Sequence, residues 1–518
     1  MGRGMARHHF VIGRRLPTIP GLLLVAVATL VPLVVLVIET VDDPRSVWSR
    51  PGVADAAWFS VWQGLLSTSL TVAIGLVPTW ILARRRVRGR RFLLAVFTVP
   101  FVLPTVVVGA AFLAVLPTSL DRSLLAILTA HVFFNVSVVV RTVLPVWRAI
   151  DDDLLSAART LGATPLGVAR RVVWPLIRPA VWSASALVFV MSATSYGVVR
   201  VLGGSHWATI DVEVYRRAVV LGDLSGAATL AATQAVIVVV AMAAWSRRPI
   251  EMMRIESRPD RRPRRLGAEF VAWSLAALFA VPIVALVATS LRSVDGWTLD
   301  GWRVLFGLVE SRLPEVRLAD AVRNSLRFAS VAAIVAVPCG VAIARVAVRS
   351  TARWARVVAD LPIGVSAVAV GLGIVVTYDV DPIDVRGSWW LIPIVHASVA
   401  LPFVVRSVIP LLRSVPTGLS DAAATLGAGP WQRWRRVELP LMRPALATAT
   451  AFSVAMSLGE FGATSFLTRR DSTTLPIVVE ALLSRPGSLS VMTGSAAAVL
   501  LLVITSSLVV LVDRRAES

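Results

Sequence analysis

The most constraining feature of this chain is a series of apolar runs, each about as long as a membrane-spanning helix. Twelve such runs can be read along the 518 residues, and a helix needs about 20 apolar residues to cross the hydrocarbon core. The sequence therefore predicts an all-α integral membrane protein with about twelve transmembrane helices in a lipid bilayer. The predicted spans are 20–38, 58–82, 92–116, 123–146, 181–200, 225–245, 269–291, 322–345, 356–377, 389–412, 444–467 and 491–512.

The charged residues are distributed as in a membrane protein rather than as in a nucleic-acid-binding protein. The net charge is +21, but only 16% of the residues are charged, and the arginines lie in short clusters between the apolar runs. With a cytoplasmic N-terminus, these clusters fall in cytoplasmic segments such as 83–91, 147–180 and 413–443, in agreement with the positive-inside rule. We therefore expect both termini in the cytoplasm and no nucleic-acid partner.

The chain also contains an internal repeat. Residues 246–268 are rich in Pro and Arg and lack an apolar period, which predicts a cytoplasmic linker between transmembrane domains 1–245 and 269–518. At a constant offset of 265 residues the two domains share identical positions, such as His131 and His396. Six spans in each domain predict two parallel repeats, related by a pseudo-twofold axis along the membrane normal.

The strongest part of the repeat lies in two predicted cytoplasmic loops, which begin at Ser156 and Asp421. Fifteen of the 25 aligned residues are identical, too many for unrelated loops. Apolar spacing predicts a short amphipathic helix in each loop. Gly162 and Gly427 suit the turn that ends this helix, and a proline three residues later suits the start of another. The apolar stripes, which need a covering partner or loop, are Leu154, Ala157, Ala158 and Leu161, and Leu419, Ala422, Ala423 and Leu426.

Both loops resemble the EAA loop of ABC importer permeases, whose pattern is Glu-Ala-Ala, a Gly four residues later and then Leu-Pro. Ser156 and Asp421 stand at the Glu position, and Trp174-Pro175 replaces Leu-Pro in the first loop. The resemblance implies coupling helices that dock on an ATPase; the alternative is an amphipathic loop on the lipid surface. The implied coupling residues are Ser156, Ala157, Ala158, Gly162 and Pro175, and Asp421, Ala422, Ala423, Gly427 and Pro440.

The resemblance implies a bacterial cytoplasmic-membrane location and two protein partners: an ABC ATPase dimer at the cytoplasmic face and an extracytoplasmic solute-binding protein. The chain has no lysine, so it cannot supply the P-loop lysine that contacts nucleotide phosphates. ATP is therefore expected to bind the partner, and no cofactor is expected in this chain. The sequence shows neither a catalytic constellation nor metal-ligand spacing, which predicts that the chain is not an enzyme.

Among ABC permeases, the whole chain resembles the fused thiamine and ferric-iron group. Residues 130–135, 194–219 and 473–483 are most similar to thiamine permeases. The resemblance implies transport of thiamine or its phosphates, with ferric iron as the alternative solute. Two other classes remain as alternatives, an ion-coupled secondary transporter and an integral-membrane enzyme.

Glu460 is the first candidate for the translocation pathway. It is predicted within the eleventh span, where a charge is costly unless it faces a polar cavity. Ser195 and Tyr196 occupy the matching place in the first domain. The alternative role for Glu460 is structural, paired with an arginine or near an interface. For His131 and His396 we expect interhelical hydrogen bonds rather than a transport role.

Overall fold

The computed structural model describes residues 19–39, 47–204, 206–246, 265–293, 296–309, 318–349, 365–378, 388–414 and 417–517. These ranges are mostly helical, and their strands are a short antiparallel pair, Arg292–Ser293 and Gly296–Trp297. The same ranges contain ten helices that are long and apolar enough to cross a membrane, and a bent pair could form an eleventh span. The predicted all-α membrane fold is confirmed.

The first half contains five of these helices and the bent pair. The third predicted span is Arg90–Val102 followed by Thr105–Val115, with an angle of 110° between them. Pro104 lies at the bend, where proline cannot continue a helical hydrogen-bond ladder. The long helices are Ile19–Ile38, Val53–Arg84, Leu124–Arg148, Pro165–Ala193 and Leu224–Ala243. Short helices are Asp152–Thr160, Gly197–Leu202 and Ile210–Tyr215, the last continued by a π-helical turn, Arg216–Leu221.

The second half repeats this order. Its ninth predicted span, 356–377, is described only from residue 365 onward, as the apolar helix Ala367–Tyr378. Most of the predicted linker, residues 247–264, lies outside the described residues. The long helices are Leu266–Ser290, Leu318–Val348, Leu391–Arg413, Trp431–Gly459 and Ser488–Leu508. Short helices are Asp300–Leu305, Thr417–Thr425, Thr464–Leu467 and Leu475–Leu483.

The fifth and eleventh spans are displaced along the chain from their predicted bounds. They are Pro165–Ala193 and Trp431–Gly459, instead of 181–200 and 444–467. Each passes through a π-helical turn, Ala169–Val173 or Trp434–Glu438. The second helix of each predicted loop is thus the beginning of a span. Hydropathy missed this because it reports apolar content, not where a helix starts or breaks.

The first span of each half packs against the other half. The Tyr378 hydroxyl donates a hydrogen bond of 2.9 Å to the Val27 carbonyl oxygen in the first span. In the seventh span, the Phe279 ring lies 5.4 Å from Phe97 and 5.5 Å from Phe133, between ring centroids. Large buried rings of this kind contribute strongly to packing. Each half therefore contributes its first span to packing against the other half.

Candidate functional site

The two predicted loops are called here the first coupling segment, residues 152–168, and the second coupling segment, residues 417–433. The first folds as a helix, a turn and a second helix. The Asp151 side chain caps helix Asp152–Thr160 by accepting a hydrogen bond of 3.0 Å from the Asp153 N–H. Gly162 then has a φ of +82°, which ends the helix. Thr164 caps the following helix by accepting a hydrogen bond of 3.1 Å from the Gly167 N–H. The predicted local fold is confirmed here.

The second coupling segment has the same form. Helix Thr417–Thr425 ends before Gly427, whose φ is +83°, and the next helix is Pro430–Arg433. No described atom lies within 4 Å of a Cβ added at Gly162 or Gly427. Both glycines are therefore needed for their backbone conformation and not for lack of space. The Asp421 side chain lies outside the described part of the structure.

Both coupling segments leave their apolar stripes uncovered. The residue at the end of each short helix, Leu161 or Leu426, is 88% exposed. Leu166 and Trp431, which are related by the repeat, are 77% and 68% exposed. Ser156, Ala157 and Ala422 are exposed as well, whereas Ala158 and Ala423 are half-buried. This apolar surface is available to a partner.

Pro175 and Pro440 do not belong to the same surface. They lie in the continuous helices that follow the turns, 13 residues beyond Gly162 and Gly427. At a rise of about 1.5 Å per residue, ten helical residues place Pro175 roughly 15 Å from Pro165. The structure therefore separates these prolines from the exposed stripes, although the sequence motif groups them.

The two coupling segments are anchored by different contacts. In the first, the Arg84 guanidinium contacts the Asp152 carboxylate at 3.1 Å and donates a hydrogen bond to the Ile150 carbonyl oxygen. In the second, Arg345 pairs with Glu438. The guanidinium carbon of Arg345 also lies 4.1 Å from the centre of the Trp434 ring. Among the residues that the structure describes, the two segments therefore share their shape and differ in these anchoring contacts.

Positive charge is concentrated beside the first coupling segment. The pKa of Arg85 is lowered, first by burial and then by the neighbouring charges of Arg265, Arg159 and Arg84. Like charges disfavour one another, so this cluster is complementary to an acidic partner surface. The cluster lies at the end of the second span and includes Arg159 of helix Asp152–Thr160, two residues before the exposed Leu161.

Each of the fifth and eleventh spans is followed by a break in the helix. Ser195 lies after the fifth span and just before the short helix Gly197–Leu202. Glu460 follows the eleventh span directly and precedes the short helix Thr464–Leu467. The expectation that Glu460 lies within a span is therefore wrong. The apolar run continues through the break, so the sequence pattern did not show it.

The Glu460 carboxylate stabilises the break that follows it. It accepts hydrogen bonds from the main-chain N–H groups of Ala463, at 2.9 Å, and Thr464, at 3.0 Å. It also accepts one from the Thr464 hydroxyl and lies 3.4 Å from His396 Nε2. Glu460 is only 6% exposed. This arrangement matches the structural alternative, with a histidine and helix N–H groups in place of an arginine.

Both predicted histidines make interhelical hydrogen bonds. His396 Nδ1 lies 2.8 Å from Ser457 Oγ, and its Nε2 lies 2.9 Å from Thr464 Oγ1. In the first half, His131 Nδ1 lies 3.1 Å from Ser67 Oγ. These buried contacts tie the fourth and tenth spans to their neighbours, as expected for polar groups inside a membrane.

Aromatic rings fill the space between the two breaks. Tyr196 and Phe461, which are related by the offset of 265, stack with their ring centroids 5.0 Å apart. Two equivalent residues can contact each other only near the axis that relates them, so this pair lies on the pseudo-twofold axis. Tyr215 lies 5.8 Å from Tyr196, and its ring meets Phe466 edge-on at 5.5 Å.

Charged residues that the sequence reasoning missed connect the halves beside these rings. Arg200 Nε contacts a Glu480 carboxylate oxygen at 3.0 Å, and the Arg200 guanidinium lies 5.3 Å from the centre of the Tyr215 ring. Ser366 of the second half donates a hydrogen bond to the buried Asp211 carboxylate of the first. In each case, a charged residue among apolar neighbours (Arg200, Glu480 or Asp211) was the feature of the sequence that could have indicated a contact. The partner was not predictable, because it lies in the other half.

The chain was compared with known proteins. The family model described as "Binding-protein-dependent transport system inner membrane component" matches residues 72–251 and again residues 336–518. The chain belongs to this family. The two matches confirm a fused, two-domain permease, and membership supports neither the ion-coupled secondary transporter nor the membrane enzyme.

Three relatives illustrate the breadth of this family. The thiamine transport system permease protein ThiP of Brucella abortus is 27% identical, over 89% of this chain and 88% of its own. The probable ABC transporter permease protein y4fN of Sinorhizobium fredii is also 27% identical, over 82% and 81% of the two chains. The putative 2-aminoethylphosphonate transport system permease protein PhnV of Salmonella typhimurium is 33% identical, over 38% of this chain and 75% of its own.

Proposed function

We propose that this permease imports thiamine or a phosphate ester of thiamine, delivered by a separate extracytoplasmic binding protein. The observation that carries the proposal is similarity to a thiamine permease along nearly the whole of both chains. The four rings around the pseudo-twofold axis support it, since aromatic faces attract organic cations such as a thiazolium ring. Ferric iron is the alternative solute.

A separate ABC ATPase dimer is the proposed source of energy. Its subunits would cover the apolar, exposed stripes around Leu161 and Leu426, the first of which lies beside the basic cluster. Burial of each leucine contributes about 1.5–3 kcal/mol to such a contact. ATP binds the ATPase and not this chain. To move the permease between states, ATP must favour one arrangement of the coupling segments over the other.

The ring stack on the pseudo-twofold axis is the proposed closed gate of the pathway. Tyr196 and Phe461 belong to opposite halves, so a change in the angle between the halves separates them. The Arg200–Glu480 pair spans the same boundary and must also break or move. Ser195 and Glu460 flank the stack in sequence, and we place both beside the pathway.

The proposed topology has domains 1–245 and 269–518, linker 246–268 and both termini in the cytoplasm of a bacterial cell. It rests on the arginine distribution in the sequence. Cysteines introduced at Ser257 and Ser388, in a Cys339→Ala background, should react with impermeant reagents from opposite sides of the membrane. Labelling from one side would contradict the twelve-span topology.

The solute is tested with the binding protein encoded beside the permease. Purified binding protein should bind thiamine or thiamine phosphate, measured by calorimetry. Vesicles containing the permease, its ATPase and this binding protein should accumulate labelled thiamine only with ATP. Tight ferric-ion binding without thiamine binding would transfer the assignment to the iron alternative.

A further inference from the structure

The second half contains a polar pocket at the membrane face opposite the coupling segments. It encloses about 210 Å³. Arg327 lies on its wall, and Arg345 on the same helix pairs with Glu438 next to the second coupling segment. Eighteen residues at about 1.5 Å each separate these arginines by roughly 27 Å along the helix. The pocket therefore lies at the outer face. Its lining includes Asn324, Arg327, Ser388, Trp389, Arg469 and Ser472.

The corresponding position in the first half is closed by aromatic side chains. At the offset of 265, Asn324, Arg327 and Ser472 correspond to Phe59, Trp62 and Trp207. These three rings pack together, with centroids 5.3 to 6.4 Å apart. The same place in the fold is thus a packed aromatic cluster in one half and an open polar pocket in the other. The pocket is not a general consequence of the fold.

The loop that forms one wall of the pocket is held in place. Asn324, which is 6% exposed, donates hydrogen bonds to the main-chain carbonyl oxygens of Asp471, at 2.9 Å, and Thr473, at 3.1 Å. The Ser472 hydroxyl accepts a hydrogen bond of 2.8 Å from the Arg469 N–H. A wall fixed in this way is organised before any partner arrives, which lowers the entropic cost of binding.

The pocket lining carries two positive charges, Arg327 and Arg469, and one negative charge, Asp471. The guanidinium carbon of Arg327 lies 3.7 Å from the centre of the Trp389 ring, which holds the group on its flat side. Its edge remains available for hydrogen bonds. Among the described residues, neither Arg327 nor Arg469 forms an ion pair. Because the two guanidinium groups outnumber the Asp471 carboxylate, the cavity keeps a net positive charge and is complementary to one further anionic group such as a carboxylate.

We propose that this pocket receives an acidic side chain of the extracytoplasmic binding protein and fixes the orientation in which that protein docks. The inference rests on the proposed function only in requiring such a partner, whatever solute it carries. Three observations favour this occupant: the outer location, the net positive charge of the lining and a volume that suits a side chain. Because Phe59, Trp62 and Trp207 replace Asn324, Arg327 and Ser472 in the first half, we assign this ionic contact to the second half.

The test measures docking of the binding protein encoded beside the permease to the permease–ATPase complex in nanodiscs. Arg327→Gln and Arg469→Gln should each raise the Kd about tenfold, the effect of losing one charge-assisted hydrogen bond. Arg327→Lys should have an intermediate effect, because it keeps the charge but loses the planar donor edge. The matched control is Arg470→Gln, which removes the same charge at the next exposed residue and should leave the Kd within about twofold.

Further readouts distinguish the pocket's occupants. Unchanged docking of both pocket variants would overturn the proposal. A second outcome would also overturn it. If docking were unaffected, and inorganic phosphate raised the thermal midpoint of the wild-type complex but not that of Arg327→Gln, the pocket would be a small-anion site. Three acidic residues precede Ser388 in the sequence: Asp379, Asp381 and Asp384. If Arg327→Gln lost thermal stability without binding protein, and neutralising these three residues had the same effect, the proposal would be overturned, because the arginine would then pair within this chain. A binding protein that docks normally but binds no thiamine would contradict only the proposed solute.

Discussion

Removing the Glu460 carboxylate should destabilise the permease at the break after the eleventh span. The change Glu460→Ala leaves two main-chain N–H groups, those of Ala463 and Thr464, without their acceptor. The site is almost fully buried, so water cannot replace the carboxylate. Each buried donor left unsatisfied costs about 1–3 kcal/mol, so the variant should lose roughly 2–6 kcal/mol of folding free energy. The loss of the His396 contact adds to this cost.

The repeat supplies a matched control at Ser195. The hydrogen bonds described for this residue use its main chain: the carbonyl oxygen accepts from the Thr209 hydroxyl at 2.9 Å, and the N–H donates to the Ser192 carbonyl oxygen at 3.3 Å. Ser195→Ala keeps both bonds and should cost less than about 1 kcal/mol. Thermal unfolding of the purified permease–ATPase complex in detergent measures both variants, and uptake is expressed per folded complex.

Equal thermal midpoints for the two alanine variants would refute the structural account of Glu460. If uptake then fell only in Glu460→Ala, the carboxylate would act on the solute and not on the break. A lowered midpoint with normal uptake per folded complex would instead limit its role to stabilising the short helix Thr464–Leu467.

Three further predictions concern the coupling segments and the gate. Asp421→Ala should weaken ATPase co-purification about five- to a hundredfold, because a carboxylate near a helix start can bind an ATPase arginine. Ser156→Ala should have a smaller effect, and equal effects would show that the two coupling segments do not differ in this way. Gly427→Val should reduce ATP-driven uptake, because valine at this positive φ adds roughly 1–2 kcal/mol of backbone strain to the turn. Normal uptake by this variant would contradict the prediction. Cysteines at Tyr196 and Phe461 should cross-link in the resting complex, and cross-linking that persists with trapped ATP would contradict a gate.

The sequence predicted the coupling segments better than the central site because their signals are local. Gly162 and Gly427 mark turns by themselves, and Leu161 is visible as part of a periodic stripe. The contact between Arg200 and Glu480 joins residues 280 positions apart, so no local pattern indicates it. The helix breaks were missed for another reason: apolar residues continue on both sides of them, and hydrogen bonding rather than hydropathy decides where the helix ends.

The crossing of the first span to the opposite half has a consequence for biogenesis. During synthesis this span precedes its packing partners, which include Ala332, Ala336 and Ala400, by more than 300 residues. Until they are made, its inner face must remain in contact with lipid or with the insertion machinery. The first half alone is therefore an incomplete folding unit. Joining both halves in one polypeptide ensures that the waiting span finds its own partner at high effective concentration.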